Sequence, residues 1–539
     1  MTASISPATA GPSSRTVHTI EAATPAWLRR ADAWAERVSD RVNPILVKET
    51  RQALKSRQFV VTFSVLLTAA LGWTVAGSLS MMPQIYTTPS APRMLIGYYA
   101  LLALPMLLIV PLTAYRSLES EIDDGTLELL SISALSPWQI VLGKLASASL
   151  QMMLYLVTLF PCVAYAYTLR GVDLPTLGLM MLILIVAGLF LTVFALALAP
   201  LAHGRSGRVT TLLTVILLLL ISEYGVGTTV VLLILFGNPL PGAETVFIAI
   251  GLPLVLASLG HLCLTATAAQ LTPESENRSS PLRLVLLGTT ALVCGLAAYA
   301  IENRRFDSDF CIACYFIATA LLTGLWAFAS PMLAAESANL TPRIQRELPS
   351  SFASRVALTF LTPGPATGLV FAILGVVGIA ALVPIGLDRL ALNPDTRVPA
   401  QARTAFTELA IIIGSYYVIG LVLARWLVAV VRIKNHPRVE LGLAAFIVVA
   451  VVMALVPFSV GLHLNDYREY PYSAWQVTNW AWTISQTANG SLPNKIKYGI
   501  VAAAVLGLLS AIGTVGERAL AVRTETPDDM AAQPAGREA

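Results

Sequence analysis

Carboxylates crowd one short stretch of this sequence, between residues 119 and 128. Five acids fall in these ten positions, at Glu119, Glu121, Asp123, Asp124 and Glu128. Acids so arranged can pair with basic groups of another protein, or they can remain solvated in a loop. The first alternative predicts a docking surface for a soluble partner, and the second assigns the acids no specific role.

Shortly after the acids, Ser136 and Pro137 signal the start of a helix. A serine oxygen accepts from the free N–H groups of a first turn, and proline at the first helical position loses no hydrogen bond. The apolar residues that follow, up to Gly143 and Lys144, predict a short interfacial helix before a membrane span. A short amphipathic helix can fit a groove on a soluble motor, so 119–144 is either a docking element or a solvated loop with an interfacial helix.

A second helix start lies upstream, where Asn43 can cap a helix that begins at Pro44. This segment continues through Lys48, Glu49 and Arg51 to the first apolar stretch. Its bases can anchor the membrane topology, but anchoring does not account for the Asn-Pro start.

Ionisable residues inside apolar stretches are costly and are therefore functional candidates. Four such residues stand out, at Glu223, His261, Glu408 and Arg425. For Glu223, a role in a substrate pathway or gate is weighed equally against a structural role, and the structural interpretation is favoured for the other three. Cys311 and Cys314 predict two packed thiols rather than a redox pair, because no thioredoxin-like pattern surrounds them.

Several catalytic signatures are absent from the sequence. It has no Gly-x-x-x-x-Gly-Lys-Ser/Thr phosphate loop, no His-Glu-x-x-His zinc motif and no Gly-x-Ser-x-Gly nucleophile motif. We therefore expect no enzyme activity, no cofactor and no metal site in this chain. If ATP drives the protein, a separate subunit must bind it.

The elements that position these residues are membrane helices. Of 539 residues, 56% are hydrophobic and only 12% are charged, and the mean hydropathy is +0.72. A spanning helix needs about 20 apolar residues. Such runs predict an all-α polytopic protein with about twelve spans, near 59–80, 95–115, 147–169, 174–200, 209–236, 244–270, 282–300, 309–330, 366–387, 407–431, 439–461 and 497–515.

The distribution of Lys and Arg predicts the orientation. Bases concentrate in the segments that alternation places on the N-terminal side, so we expect both termini in the cytoplasm and no cleavable signal peptide. A plasma (inner) membrane protein follows, with the bilayer as a partner. The net charge of +4 gives no reason to expect nucleic acid.

The chain order then predicts five regions. They are a disordered tail at 1–24, interfacial helices at 25–58, a six-span unit at 59–270, a second six-span region at 271–515 and a cytoplasmic tail at 516–539. The longest outer loop, 462–496, is rich in Tyr and Trp, which suit the headgroup boundary.

Three segments together resemble the ABC-2 type permease family. They are Asn43-Pro44-x-Leu46-Val47-Lys48-Glu49-x-Arg51-Gln52, Glu121-x-x-x-Gly125-Thr126-Leu127-Glu128-Leu129-Leu130 and Ser136-Pro137-x-x-Ile140-x-x-Gly143-Lys144. The resemblance covers about residues 41–270. The second half departs from it, because no second Gly-Thr-Leu-Glu motif appears there, although 331–365 occupies the position of a second coupling element.

The resemblance implies a permease subunit of an ABC transporter, an exporter driven by a separate ATPase subunit that binds ATP. It implies two permease units per transporter, a connecting helix near Asn43 to Arg51, and re-entrant helices at 226–243, because 209–236 exceeds one plain helix. It places eight residues in the ATPase-coupling element: Glu121, Gly125, Thr126, Glu128, Ser136, Pro137, Gly143 and Lys144. The alternative hypothesis is a polytopic enzyme or scaffold that acts on lipid-linked substrates through the loop at 462–496.

Overall fold

The computed structural model of the chain is built of helices. It describes residues 44–125, 136–202, 204–238, 240–273, 276–336, 351, 359–392, 398–432, 440–468 and 471–519. These ranges contain no β-strand. The predicted disordered tail, Asn43, Thr126, Glu128 and most of 516–539 lie outside them.

Fourteen α-helices follow one another along the described residues. They are α1 (Pro44–Lys55), α2 (Arg57–Ser80), α3 (Ala91–Asp123, with a π-helical segment at Leu104–Ile109), α4 (Pro137–Thr168), α5 (Leu174–Leu198), α6 (Gly204–Phe236), α7 (Gly242–Leu271), α8 (Ser279–Glu302), α9 (Ser308–Ala334), α10 (Pro365–Leu392), α11 (Ala400–Arg432), α12 (Glu440–Leu464), α13 (Trp480–Ala488) and α14 (Asn494–Ala519).

Twelve of these helices, all except α1 and α13, are long and apolar enough to cross a membrane. The prediction of an all-α polytopic membrane protein with twelve spans is confirmed. The physical reason is simple, because only a helix satisfies every backbone N–H and C=O of a single apolar segment in hydrocarbon.

The third span differs from its prediction in length. Helix α4 runs for 32 residues from Pro137 to Thr168, so the short helix expected before the span is the first part of the span itself. The expected start is confirmed, since Ser136 caps α4 and Pro137 opens it. No residue after Gly143 breaks the helix before the apolar region begins.

The prediction of re-entrant helices at 226–243 was wrong. Helix α6 continues without interruption from Gly204 to Phe236, through both Gly225 and Gly227. A glycine costs a helix about 1 kcal/mol, which is less than the several kcal/mol of an unsatisfied peptide group in hydrocarbon. The chain turns only after Phe236, and α7 begins at Gly242.

Helices α3 and α4 are longer than the membrane core requires. At 1.5 Å per residue, 33 and 32 residues span about 50 Å and about 48 Å, whereas the hydrocarbon core is about 30 Å thick. Their ends, including Glu121 of α3 and the first turns of α4, can therefore extend beyond the hydrocarbon.

The chain divides into two compact units. The first comprises residues 1–173 and 183–235, and the second comprises 174–182 and 236–539. Fully buried side chains such as Tyr98, Tyr115 and Tyr155 form the interior of the first unit, and a cluster around Trp326 and Val370 forms that of the second. The permease boundary near residue 270 stays a prediction.

Candidate functional site

Helix α1 contributes the first part of the candidate site. It begins at Pro44, as predicted, and it packs against α4 and α2. Ile45 is buried, whereas Lys48 and Arg51 on its other faces are exposed. The helix is therefore amphipathic and presents Glu49 towards the spans beside it.

The end of α3 contributes the second part. Ser117 and Glu121 lie one turn apart on this helix, and Asp124 is its C-cap residue. Gly125 follows with φ at +66°, a left-handed conformation that glycine adopts without strain. Among the described residues, a side-chain carbon at this position would meet no atom within 4 Å. The helical conformation of α3 therefore ends at Gly125.

The start of α4 contributes the third part. The Ser136 hydroxyl accepts a hydrogen bond from the Gln139 N–H at 3.3 Å, and the Ser136 N–H donates to Gln139 Oε1 at 2.8 Å. This reciprocal capping box satisfies two N–H groups of the helix end. Gly143 and Lys144 follow about two turns later, and both are buried.

Lys144 brings the three parts together. Its ammonium Nζ lies 3.0 Å from Glu121 Oε2 and 3.4 Å from Glu49 Oε1. It also donates to Ser117 Oγ at 2.7 Å. The lysine side chain is only 1% exposed, so we name Glu49, Ser117, Glu121 and Lys144 the lysine cluster. The buried ammonium of α4 thus contacts one side chain from α1 and two from α3.

One further base, Lys48, balances the net negative charge of the lysine cluster. Two carboxylates surround one ammonium, and Lys48 lies 3.5 Å from Glu121 Oε1 with its own side chain 62% exposed. A buried ammonium is stable only with close anionic partners, so removing the lysine leaves two carboxylates facing each other. The cluster therefore fastens α1 to the ends of α3 and α4.

A second ion pair joins α3 to the start of α6. Arg208 donates to the Asp123 carboxylate. Sequence reasoning did not single out Ser117 or Arg208. The sequence did contain one signal for Arg208, because this residue comes just before a span and is predicted to lie on the same side of the membrane as Asp123.

The three helices and α2 border a half-open cavity of about 860 Å³, and the lysine cluster forms part of its wall. Lys48, Lys144 and Glu121 line its charged part. Phe59 and Tyr155 line another part, and their rings lie 5.6 Å apart. The cavity therefore combines ionic and aromatic walls within the first unit.

Glu223 is not part of the lysine cluster. A methyl group placed on Gly227 would lie 3.5 Å from the Tyr99 hydroxyl and 3.9 Å from Glu223 Oε1, so these groups flank one small space. The Tyr99 hydroxyl is buried without a hydrogen-bond partner among the described residues. A pathway role and a structural role for Glu223 both remain predictions.

The second unit contains a buried arginine that sequence reasoning missed. Arg283, near the start of α8, is fully buried and lies 2.7 Å from Glu336 Oε2. It donates to the Phe360 carbonyl at 2.6 Å and to the Thr362 carbonyl at 2.8 Å. The available signal was a base at the end of a span, which we attributed to topology alone.

Among the other intramembrane candidates, Glu408 pairs with Lys497 at 2.6 Å. The structural interpretations of His261 and Arg425 stay predictions. Cys311 and Cys314 are free thiols, and the Cys311 thiol donates to the Ala300 carbonyl at 3.2 Å. Within the described ranges, no three His, Cys, Asp or Glu side chains gather as a metal site.

The aromatic segment 465–493, named the outer segment after its predicted side of the membrane, forms hydrogen bonds within itself and to α12. Tyr472 and Thr483 share a hydrogen bond of 2.9 Å, and burial raises the pKa of Tyr472, which keeps its phenol protonated. The Trp480 indole donates to the Ala450 carbonyl of α12 at 2.8 Å. Trp475, in contrast, is 78% exposed. An exposed indole of this kind suits a membrane interface.

Comparisons with protein-family models, with curated proteins and with solved structures found no match for this chain.

Proposed function

We propose that this protein is the permease subunit of an ABC-2 type transporter, an exporter that a separate ATPase subunit drives. The lysine cluster is the observation that supports the proposal most strongly. Glu49, Glu121 and Lys144 come from three separate segments of the sequence, and those same three segments gave the resemblance to the family. Their side chains meet within 3.4 Å of one ammonium.

The proposed mechanism uses the cluster as a rigid connection. The ATPase docks on the segment between Glu119 and Lys144, and its closure on ATP displaces that segment. Because Lys144 ties the ends of α3 and α4 to α1, the displacement moves these helices together. Movement of several spans at once changes the side of the membrane to which a pathway is open.

The docking surface is proposed to include the end of α3. Asp124 is exposed there and Gly125 is half-buried. A helix end next to a buried ion pair can transmit a displacement to the spans, because the pair holds the helices together. The chain itself supplies no phosphate loop, so the nucleotide is assigned to the partner.

Co-purification tests this function. The full-length chain is extracted from native membranes in mild detergent, and bound proteins are identified by mass. We expect wild type to recover an ABC ATPase and a second permease unit. The Gly125→Val variant should recover at least tenfold less ATPase, because valine is strained at this φ and projects from the docking turn.

A matched control is available in the outer segment. Gly490 has φ at +68° and equally open surroundings, so Gly490→Val introduces the same strain elsewhere. It should recover the ATPase like wild type. Equal loss in both variants, or no ATPase with wild type even after cross-linking, would contradict the proposal and favour the hypothesis of an enzyme or scaffold that uses the outer segment.

A further inference from the structure

The cavity beside the lysine cluster has the shape of an amphiphile site. It extends along α4 from Lys144 to Tyr155, which is 11 residues or about 16 Å. Along α3 it extends from Ile109 to the C-cap residue Asp124, which is about 22 Å. One end lies at the charged helix termini, and the other lies at the depth of the apolar part of the spans.

The walls of the cavity change character along this length. Charged side chains line the end of the cavity near the helix termini, where Lys48, Arg116, Glu121 and Asp124 are found. The deeper walls hold no charged residue, and they combine Phe59, Ile109 and Tyr155 with the polar side chains of Thr62, Thr113 and Gln151. A ligand with an ionic head and an uncharged tail matches this change.

The charges at the end of the cavity near the helix termini determine which headgroup it can bind. Three bases, Lys48, Arg116 and Lys144, and three acids, Glu49, Glu121 and Asp124, line this end. The described charges therefore sum to zero, and ion pairs among Lys48, Lys144, Glu49 and Glu121 leave Arg116 and Asp124 as the remaining base and acid. A head with one positive and one negative group matches this arrangement, whereas a purely anionic head would lie against the three carboxylates.

Access to the cavity comes from the side of α2. Only 11% of the most apolar 18-residue window of this span is buried, and Val60 and Val61 next to Phe59 are about half exposed. Among the described residues of the chain, nothing covers most of this span, so we infer that it borders the bilayer. A lipid can reach the cavity past α2 without leaving its leaflet.

We propose that this cavity binds a zwitterionic phospholipid of the phosphatidylethanolamine class from the leaflet next to α1. Its phosphate lies near Lys48 and Arg116, and its ammonium lies near Glu121 and Asp124. Its chains run along Phe59 and Ile109 between α2 and α3. The site shares Glu121, Asp124 and Lys144 with the proposed coupling element, but lipid binding does not require the ATPase.

Native mass spectrometry of the full-length protein tests the site. The protein is exchanged into detergent with equal amounts of phosphatidylethanolamine and phosphatidylglycerol of identical chains. We expect one phosphatidylethanolamine retained per chain, at least tenfold over phosphatidylglycerol. Equal retention of the two lipids would overturn the proposal.

Charge variants place the headgroup. The double variant Lys48→Gln/Arg116→Gln should retain at least tenfold less phosphatidylethanolamine than wild type. Lys55→Gln/Arg57→Gln removes two exposed bases of the same region that do not line the cavity, and it should retain the lipid fully. Unchanged retention in the first double variant, or equal loss in both, would overturn the proposal.

Two bulky variants place the chains and distinguish the lipid from its soluble head. Thr62→Trp fills the cavity and should expel the lipid, whereas Val61→Trp on the exposed side should keep it. Free phosphoethanolamine at millimolar concentration should not displace the lipid, because it lacks the chains. Retention in Thr62→Trp, or displacement by phosphoethanolamine, would overturn the proposal. Gel filtration establishes that each variant is folded, and if Thr62→Trp is not, the charge variants decide.

Discussion

At the scale of single residues, the central fact is the burial of Lys144. An ammonium that is 1% exposed has lost its hydration, and only Glu49, Glu121 and Ser117 replace it. The two carboxylates keep part of their hydration, at 12% and 17% exposure. The lysine is therefore the member of the cluster whose partners matter most.

Lys144→Met should destabilise the first unit by about 3 kcal/mol. Methionine fills a similar volume but leaves two carboxylates facing each other, and breaking a buried pair costs 3–5 kcal/mol, less when the remaining charges are partly hydrated. Urea unfolding in mixed micelles measures the change.

The matched control for this prediction is Lys48→Met. Lys48 is 62% exposed and contacts Glu121 at 3.5 Å, so its loss should cost no more than about 1 kcal/mol. If Lys144→Met unfolds at the same urea concentration as wild type and Lys48→Met, Lys144 does not hold the helices together.

At the scale of elements, α4 joins the capping motif at Ser136 to the apolar part of a span. Its capping box fixes where the helix begins, and the unbroken helix fixes Lys144 relative to the span. A separate interfacial helix, as predicted from sequence, would have allowed a hinge between them. The single helix removes that hinge.

Ser136→Ala should loosen the first turn of α4. The loss of an N-cap serine costs about 1 kcal/mol, so the Gln139 amide should exchange its hydrogen several-fold faster. Ser149→Ala is the control, because its hydroxyl bonds back to the Leu145 carbonyl inside the same helix. Hydrogen exchange read by mass spectrometry compares them, and wild-type exchange in Ser136→Ala would show that the cap does not limit fraying.

Local signals predicted the elements better than they predicted contacts. The helix starts at Pro44 and Pro137 follow from neighbouring residues alone, and both were predicted correctly. The prediction of re-entrant helices at 226–243 failed because it rested on the length of the apolar run, and α6 accommodates that length as one helix. The depth of Lys144 and of Arg283 depends on packing between distant segments, which composition and spacing do not contain.

At the scale of the whole molecule, twelve spans give an even number of crossings. Both termini then lie on one side, and the distribution of bases predicts that this side is the cytoplasm. The two compact units differ in content, since the lysine cluster lies in the first and the Arg283–Glu336 pair in the second. Among the described residues, each unit therefore contains a buried base that pairs with a carboxylate.

Cysteine labelling in whole cells tests the predicted orientation. In a chain with its five native cysteines replaced, single cysteines are introduced at Thr88, Arg305 and Gly490 for the outside and at Asp124 and Arg278 for the cytoplasm. An impermeant maleimide should label only the first three, and permeabilised cells should give labelling at all five. Labelling of Asp124→Cys in intact cells would reverse the orientation and remove the docking segment from the cytoplasm.

The measurement that tests the central claim most directly is site-specific photo-cross-linking in native membranes. A photoreactive phenylalanine analogue replaces Asp124, next to the lysine cluster, and in a second protein it replaces Gly490 in the outer segment. The account predicts that the first position yields an adduct with an ABC ATPase, identified by mass, and that the second does not. The absence of an ATPase adduct from Asp124 in folded, correctly inserted protein would contradict it.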